Sequence, residues 1–263
     1  PFAANKQEQR PVINCVRFSQ GNGKLILSTT DAYRLAEITL DFEDGEAQAL
    51  IPAEDLKGLI TALKKAHRVR LAIERNGNDC NGLIIETESI RYKLAGESGT
   101  FPDYQQAIPA EFKAAARFDT REMMKAGASL SALSLDKTSA ITLSLREGKL
   151  TMSATDDRGS AQVEAEVEGE ADNAINGAFL TQALKALDGM AEVKLSNPKV
   201  PIVFTVDGYR LAVMPVVMPT KPKIHAEAEA IARQAEAKAE SEAKAHAEKP
   251  KKKSHKAKVP VAA

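Results

Sequence analysis

No tryptophan occurs in the 263 residues, aromatics make up 5%, and only two cysteines are present, Cys15 and Cys80. The cysteines show neither a pairing pattern nor Cys-x-x-Cys ligand spacing, so both are expected as free thiols of a reducing cytosol. The sparse aromatics form no row on which single-stranded bases could stack. There is no apolar run of about 18 residues, the length that crosses a bilayer, and so no membrane partner is expected. The opening Pro1-Phe-Ala-Ala-Asn-Lys-Gln-Glu lacks the basic start and apolar centre of a signal peptide, which predicts a soluble protein that stays inside the cell. A chain that opens on Pro and enters a strand by about residue 12 is expected to be cut from something longer.

Signatures of catalysis are also missing: no His-Glu-x-x-His, no Gly-x-Ser-x-Gly, no phosphate loop and no dinucleotide fingerprint. Of four histidines, His225, His246 and His255 fall near the C-terminus and His67 ends an expected helix, so no Ser-His or Cys-His pair is suggested. No metal-ligand cluster and no cofactor motif is present, and no cofactor is expected.

What the chain does contain is a duplication. Gly23-Lys-Leu-Ile-Leu-Ser-Thr-Thr-Asp31 returns 125 positions later as Gly148-Lys-Leu-Thr-Met-Ser-Ala-Thr-Asp156, six of nine residues identical. A shorter echo halves the unit: Tyr33-Arg-Leu-Ala36 recurs as Tyr92-Lys-Leu-Ala95 and as Tyr209-Arg-Leu-Ala212. Asp31 and Asp156 thus recur at equivalent turns, a symmetry that suits Asx-turn geometry better than acid–base work.

Each module reads as strand, helix and three strands, an α+β fold. Residues 47–53 give a short strand. Glu54 and Asp55 then place negative charge where a helix dipole favours it, and Leu56, Leu59, Ile60 and Leu63 form one apolar stripe facing a sheet. Arg68–Glu74, Gly82–Thr87 and Ile90–Ala95 follow as antiparallel strands, with a turn at Asn76–Asn81. The same pattern fits a strand near Ala174–Phe179, a helix with Leu180, Leu184 and Leu187, and strands at Val193–Leu195, Ile202–Val206 and Tyr209–Val217. Asp207-Gly208 is a two-residue hairpin turn. A third module runs 114–168 with its helix at 121–133, and the first, 10–42, has only its three strands. The expected organisation is a first domain at 1–100 lacking its beginning, a linker at 101–109, a second domain at 110–218, and a tail at 219–263. That tail carries 11 Lys/Arg and 6 Asp/Glu against 25 and 30 in the rest. Rich in Ala, Lys and Glu, it is read as helical, with a helix at 226–247, or as disordered.

Three segments then resemble one family, the bacterial beta sliding clamp, the ring-shaped processivity factor (beta subunit) of the replicative DNA polymerase III. Thr29-Thr-Asp-Ala-Tyr-Arg-Leu-Ala36 is similar to its Ala-Thr-Asp-Gly-His-Arg-Leu-Ala motif. Phe101-Pro-Asp-Tyr104 is similar to the segment linking its second and third domains, and Leu211-Ala-Val-Met-Pro-Val216 to its C-terminal Val-Val-Met-Pro-Met stretch. The segments stand in the family's order, and the resemblance covers 1–218, middle and C-terminal clamp domains, with the first domain absent. It implies the DNA-clamp fold, antiparallel sheets outside and helices inside, and a non-catalytic homodimeric ring around double-stranded DNA, bound without regard to sequence. The implied partners are the DNA polymerase catalytic subunit, the clamp loader and other proteins bearing clamp-binding motifs, in the cytoplasm at the nucleoid. The missing domain would supply one side of the subunit contact; the other would survive near Leu133.

The family's partners insert a short hydrophobic peptide into a groove between the middle and C-terminal domains. Carried over by motif, the groove here is lined by Ile13, Thr30, Ala32, Tyr33, Arg34 and Leu35, then Pro102, Gln106 and Ala107 of the linker. Thr138, Pro201, Ala212, Val213, Met214, Pro215 and Val216 complete it. Leu35 and Val213 alternate on strands, which equally suits a place in the core. Arg34 and Met214 suit a peptide surface better. Tyr33 stands where the family often has His, Gln106 where it often has Arg, and Thr138 where it has an aromatic; Met218-Pro219 offers a second register four residues on. For DNA, the candidates are Lys57, Lys64, Lys65 and Arg68 on one helix, Arg121 and Lys125 on another, Lys185 on a third, and Arg10. Each alone also reads as a solvated charge, and recurrence on three helices favours a ring interior. The alternatives are a peptide-binding adaptor that forms no ring and takes nucleic-acid affinity from its basic tail, and an enzyme working in the inter-domain cleft.

Overall fold

The computed structural model describes residues 10–75, 81–133, 139–154 and 158–217, without the side chains of 131–133. Cys80, Thr138, Asp156, the 76–80 part of the expected turn and all of the tail, with its expected helix, lie outside the described residues.

A 3-10 turn at Pro11–Asn14 leads into β1 (Cys15–Gly21), β2 (Lys24–Thr30) and β3 (Arg34–Asp41). Next come β4 (Ala47–Pro52), α1 (Ala53–Leu63), β5 (Arg70–Glu74), β6 (Gly82–Glu86) and β7 (Arg91–Leu94). After a linker with a 3-10 turn at Gln105–Ala107 the pattern repeats as β8 (Ala114–Asp119), α2 (Thr120–Leu133), β9 (Ala140–Arg146), β10 (Lys149–Ala154), β11 (Ser160–Val163) and β12 (Ala165–Gly169). It repeats once more as β13 (Ala171–Asn176), α3 (Gly177–Ala186), β14 (Met190–Leu195), β15 (Ile202–Val206) and β16 (Tyr209–Val213). The α+β reading holds, and the echoed Arg/Lys-Leu-Ala residues fall on β3, the β7 end and β16, the last strand of three modules.

Three hairpins turn on paired left-handed residues, Asn22-Gly23, Glu147-Gly148 and Asp207-Gly208, with φ between 37° and 75° at all six. Two left-handed residues in succession twist the chain in the sense that joins neighbouring strands.

Strands β12-β8-β14-β15-β16-β3-β2-β1-β4 make one nine-stranded sheet; β11-β10-β9-β13 and β5-β6-β7 make two smaller ones. The long sheet is spliced where β16 pairs antiparallel with β3, Leu211 opposite Ala36 and Ala212 opposite Leu35. Because directly opposed residues share a face, Leu211, Ala36 and Thr29 point to one side of the sheet, and Ala212, Leu35 and Thr30 to the other. All three helices pack on the first side. There α2 and α3 cover a core of Phe118, Leu143, Leu150, Phe204 and Val213, and α1 covers Phe18, Leu25, Ile51, Leu83 and Ile85. On the opposite side the linker lays Phe101 and Tyr104, ring against ring edge at 6.2 Å, over Cys15, Leu35, Leu50, Val203 and Ala212.

Several boundaries differ from expectation. The strand expected at 174–179 ends at Asn176, whose side-chain Oδ1 accepts from the Ala178 and Phe179 amides at 2.9 and 3.3 Å, so Phe179 is helical. The last strand stops at Val213 instead of Val217, because the Met214 amide donates to the Tyr33 carbonyl and the Val216 amide to the Ala174 carbonyl, drawing the chain off the sheet. The third module's last strand divides at Glu164 into β11 and β12, which join different sheets. Helix α1 ends at Leu63, so Lys64 caps it and Lys65 and Arg68 lie beyond it, not on it. Of its apolar stripe, Leu56, Leu59 and Leu63 pack on the core while Ile60 is 46% exposed.

Candidate functional site

The β2–β3 connection folds on its own side chains. Asp31 Oδ1 accepts from the Tyr33 and Arg34 amides at 3.0 and 2.9 Å, the Asx-turn geometry expected of it, and Thr30 Oγ1 donates to the Arg34 carbonyl at 2.7 Å. Ala32 is held at φ 72°, a left-handed conformation that costs a residue with a Cβ, at the position where the clamp motif carries Gly.

Arg34 fastens this loop to the C-terminal half. Its guanidinium pairs with Asp31 at 2.9 Å, donates to Gln182 Oε1, and lies 4.2 Å from the centroid of the Phe179 ring, both partners standing on α3. A cation stacked on a ring face and held by a carboxylate is a rigid brace, and only 10% of the side chain is exposed. Arg34, expected on the peptide surface, also holds β3 against α3.

Beside this brace lies a depression of about 90 Å³, mostly apolar. Thr30, Ala32, Tyr33, Arg34 and Leu35 line one bank, Ala212 and Met214 the other, and Ala107 and Pro201 close it. These nine expected groove residues come together with two that the sequence reading did not assign, Tyr104 and Ile108 of the linker. Tyr104 ends the Phe101-Pro-Asp-Tyr104 segment, whose resemblance to the family's linker is the sequence signal for it. Tyr33, 65% exposed, and Met214, 38% exposed, form the open rim. Other expected members lie elsewhere. Val213 is fully buried in the core on the helix side, because it alternates with Ala212. Ile13 sits in the 3-10 turn, Pro102 is exposed, and Gln106 Nε2 is tied to Asp103 Oδ2 at 2.8 Å. Pro215 and Val216 follow the strand end without lining the depression. Leu133 ends α2, its side chain outside the described residues.

Tyr104 of this lining is held by a buried polar cluster. Glu37, 7% exposed, accepts from the Tyr104 hydroxyl at 2.5 Å and from the Arg210 guanidinium at 2.6 Å. Burial, then the Glu37 hydrogen bond, pushes the Tyr104 phenol up to about 12. Burial, with Glu97 and Asp55 adding repulsion, pushes the Cys15 thiol up to about 11.

Among the DNA candidates, Lys57 on α1, Arg121 and Lys125 on α2 and Lys185 on α3 are exposed, on helices that share one side of the sheet. Lys64, Lys65, Arg68 and Arg10 are also exposed, the Arg68 amide donating to Glu88 Oε1 at 2.5 Å. Among the described residues, no group of three or more His, Cys, Asp or Glu could hold a metal ion, and no helix is long and apolar enough to cross a membrane.

A repeated β-α-β-β-β unit in antiparallel sheets, backed by helices on one side and bridged by an aromatic linker on the other, defines the sliding-clamp class of α+β fold. Residues 1–103 match the central domain, and residues 105–221 the C-terminal domain, of the DNA polymerase III beta subunit, and the chain belongs to that family. It is 29% identical over 193 residues to the beta sliding clamp homolog GriR of Streptomyces muensis, covering 70% of this chain and 51% of that protein. To the beta sliding clamp of Streptomyces coelicolor it is 28% identical over 236 residues, covering 86% and 59%. The solved sliding clamp from Pseudomonas aeruginosa bound to griselimycin superposes with a TM-score of 0.72 at 21% identity, over 82% of this chain and 60% of that one. The chain thus spans about half to three fifths of the length of the relatives it matches.

Proposed function

We propose that this chain is the partner-binding part of a sliding clamp, whose apolar depression takes short hydrophobic peptides from a DNA polymerase, a clamp loader and other replication proteins. The observation that carries the reading is the depression itself: loop 30–35, linker residues 104–108 and the strand end at 212–214 converge on it, far apart in sequence. Apolar anchors entering such a pocket lose water-exposed area, and a few of them supply most of the affinity. The stiff Arg34 brace and the buried Tyr104–Glu37 bond keep the pocket formed before the peptide arrives, which lowers the ordering cost of binding.

The chain performs no chemistry in this reading. In the whole protein, a homodimeric ring encloses duplex DNA, and the exposed cations of α1, α2 and α3 attract phosphates without reading sequence. Topology then keeps the clamp on DNA while the groove keeps the polymerase on the clamp, in the bacterial cytoplasm at the nucleoid.

The test is titration of a labelled peptide of the Gln-Leu-x-Leu-Phe type into the chain and into an Arg34→Ala, Met214→Ala double variant. Micromolar binding lost in the variant supports the reading; no binding by the folded wild type refutes the groove.

A further inference from the structure

Resting on the peptide-groove reading for the identity of the partner, we propose that the linker side of the long sheet carries a second docking site. It is a cleft that takes an acidic, extended segment of the same partner whose hydrophobic peptide enters the groove.

The cleft, about 560 Å³ in volume, lies on the groove's own strands. Leu35 on β3 and Ala212 on β16 line the groove; two residues away on each strand, and so on the same face, Glu37 and Arg210 line the cleft. Tyr104 stands between the two, lining the groove while its hydroxyl is bonded to Glu37 in the cleft. Strand register carries the cleft sideways, with Arg210 opposite Thr205, Thr205 opposite Glu192 and Glu192 opposite Arg117. Directly opposed residues share a face, so this whole row looks away from the helices, and one partner reaches groove and cleft from the same side.

The uncommitted charges decide the occupant. Glu37 already serves the Tyr104 hydroxyl with one carboxylate oxygen and Arg210 with the other. Glu192 Oε2 accepts from the Thr205 hydroxyl at 3.2 Å and pairs with Lys194 at 2.9 Å. The cations are less committed. Arg210 gives Glu37 only Nη2, its buried Nε has no hydrogen-bond partner, and its side chain is 35% exposed. Arg117 is exposed, and although Glu166 and Glu192 stand opposite it, it makes no hydrogen bond or ion pair among the described residues.

A guanidinium takes a carboxylate through two parallel N–H donors, so uncommitted forks favour an acidic side chain. Met190, 50% exposed at the cleft, adds apolar surface for an aliphatic residue beside the acid. Of the three lining carboxylates only Asp207, exposed at its hairpin tip, is uncommitted among the described residues, which keeps the acid toward Arg117 and Arg210. The four residue steps from Met214 back to Arg210 cover about 13 Å at about 3.3 Å each, so a spacer of roughly six residues joins the two sites.

The test titrates peptides into the full chain. One is the Gln-Leu-x-Leu-Phe type alone; others join it, at either end and through about six Gly/Ser residues, to Leu-Glu-Glu-Leu or to Leu-Lys-Lys-Leu. The acidic extension at one end should tighten binding by about tenfold or more, and the Lys extension should not. Arg117→Gln, at an exposed position outside the groove, should bring the acidic peptide to within about threefold of the bare one and leave the bare peptide's affinity unchanged. No gain at either end, or an equal gain from Lys, overturns the proposal. So does a gain that survives Arg117→Gln, as attraction to the basic tail would give. If the bare peptide does not bind, the groove reading fails and the acidic segment alone decides: binding lost in Arg117→Gln upholds the cleft, and no binding overturns it.

Discussion

Glu37 and Arg210, directly opposed on β3 and β16 and 173 residues apart in sequence, form an ion pair of 2.6 Å where the two halves of the long sheet are spliced. The carboxylate is buried and the guanidinium 35% exposed, so the pair is partly shielded from water. Glu37→Ala strands Arg210 and the Tyr104 hydroxyl together and should cost about 2 kcal/mol, below the range for a fully buried pair because Arg210 keeps solvent access. Urea denaturation measures it; a loss under about 0.5 kcal/mol would mean the pair contributes no more than a surface contact.

Alkaline stability follows from the same cluster. The Tyr104 phenol rises from 10.0 to about 12 on folding, so its contribution is complete below pH 10 and is lost as pH climbs from about 10 to about 12. Cys15 and Tyr209, also raised by burial, add losses of the same sign. Tyr104→Phe should therefore show a shallower fall in stability over that range than the wild type, and equal slopes would show that the Tyr104 phenol does not set it.

Ala32 holds a positive φ that glycine adopts without a steric cost. Ala32→Gly should gain about 0.5 kcal/mol, the relief of left-handed strain less the added freedom of the unfolded chain. Thermal unfolding is the measurement, and a loss would show that the Asx turn already absorbs the strain.

The tail at 219–263 carries a formal charge of about +5, and nonspecific attraction to phosphates is its simplest use. Deleting residues 221–263 should weaken DNA association at low salt and leave peptide affinity unchanged. Altered peptide affinity would join the tail to the groove.

The modules were readable because a helix stripe and strand alternation are local patterns, and the repeated nine residues fixed their spacing. Asp207-Gly208 announced its hairpin; Glu147-Gly148 did not, since Glu is an uncommon left-handed residue. Asn176 was passed over as strand although Asn favours the start of a helix, and that hid Phe179 as the seat of Arg34. The polar cluster that holds Tyr104 is illegible in the sequence for a different reason: Glu37 and Arg210 meet through strand register and Tyr104 through the linker's path, which no local pattern encodes. Ile60 fitted its helix stripe, and only the structure reveals that it is 46% exposed.

In the proposed function, loop 30–35, linker 104–108 and strand end 212–214 form one peptide-binding groove. Hydrogen exchange with and without a saturating clamp-binding peptide tests it most directly. Protection confined to those three segments is the predicted result; binding that protects other residues and leaves these unchanged would contradict it.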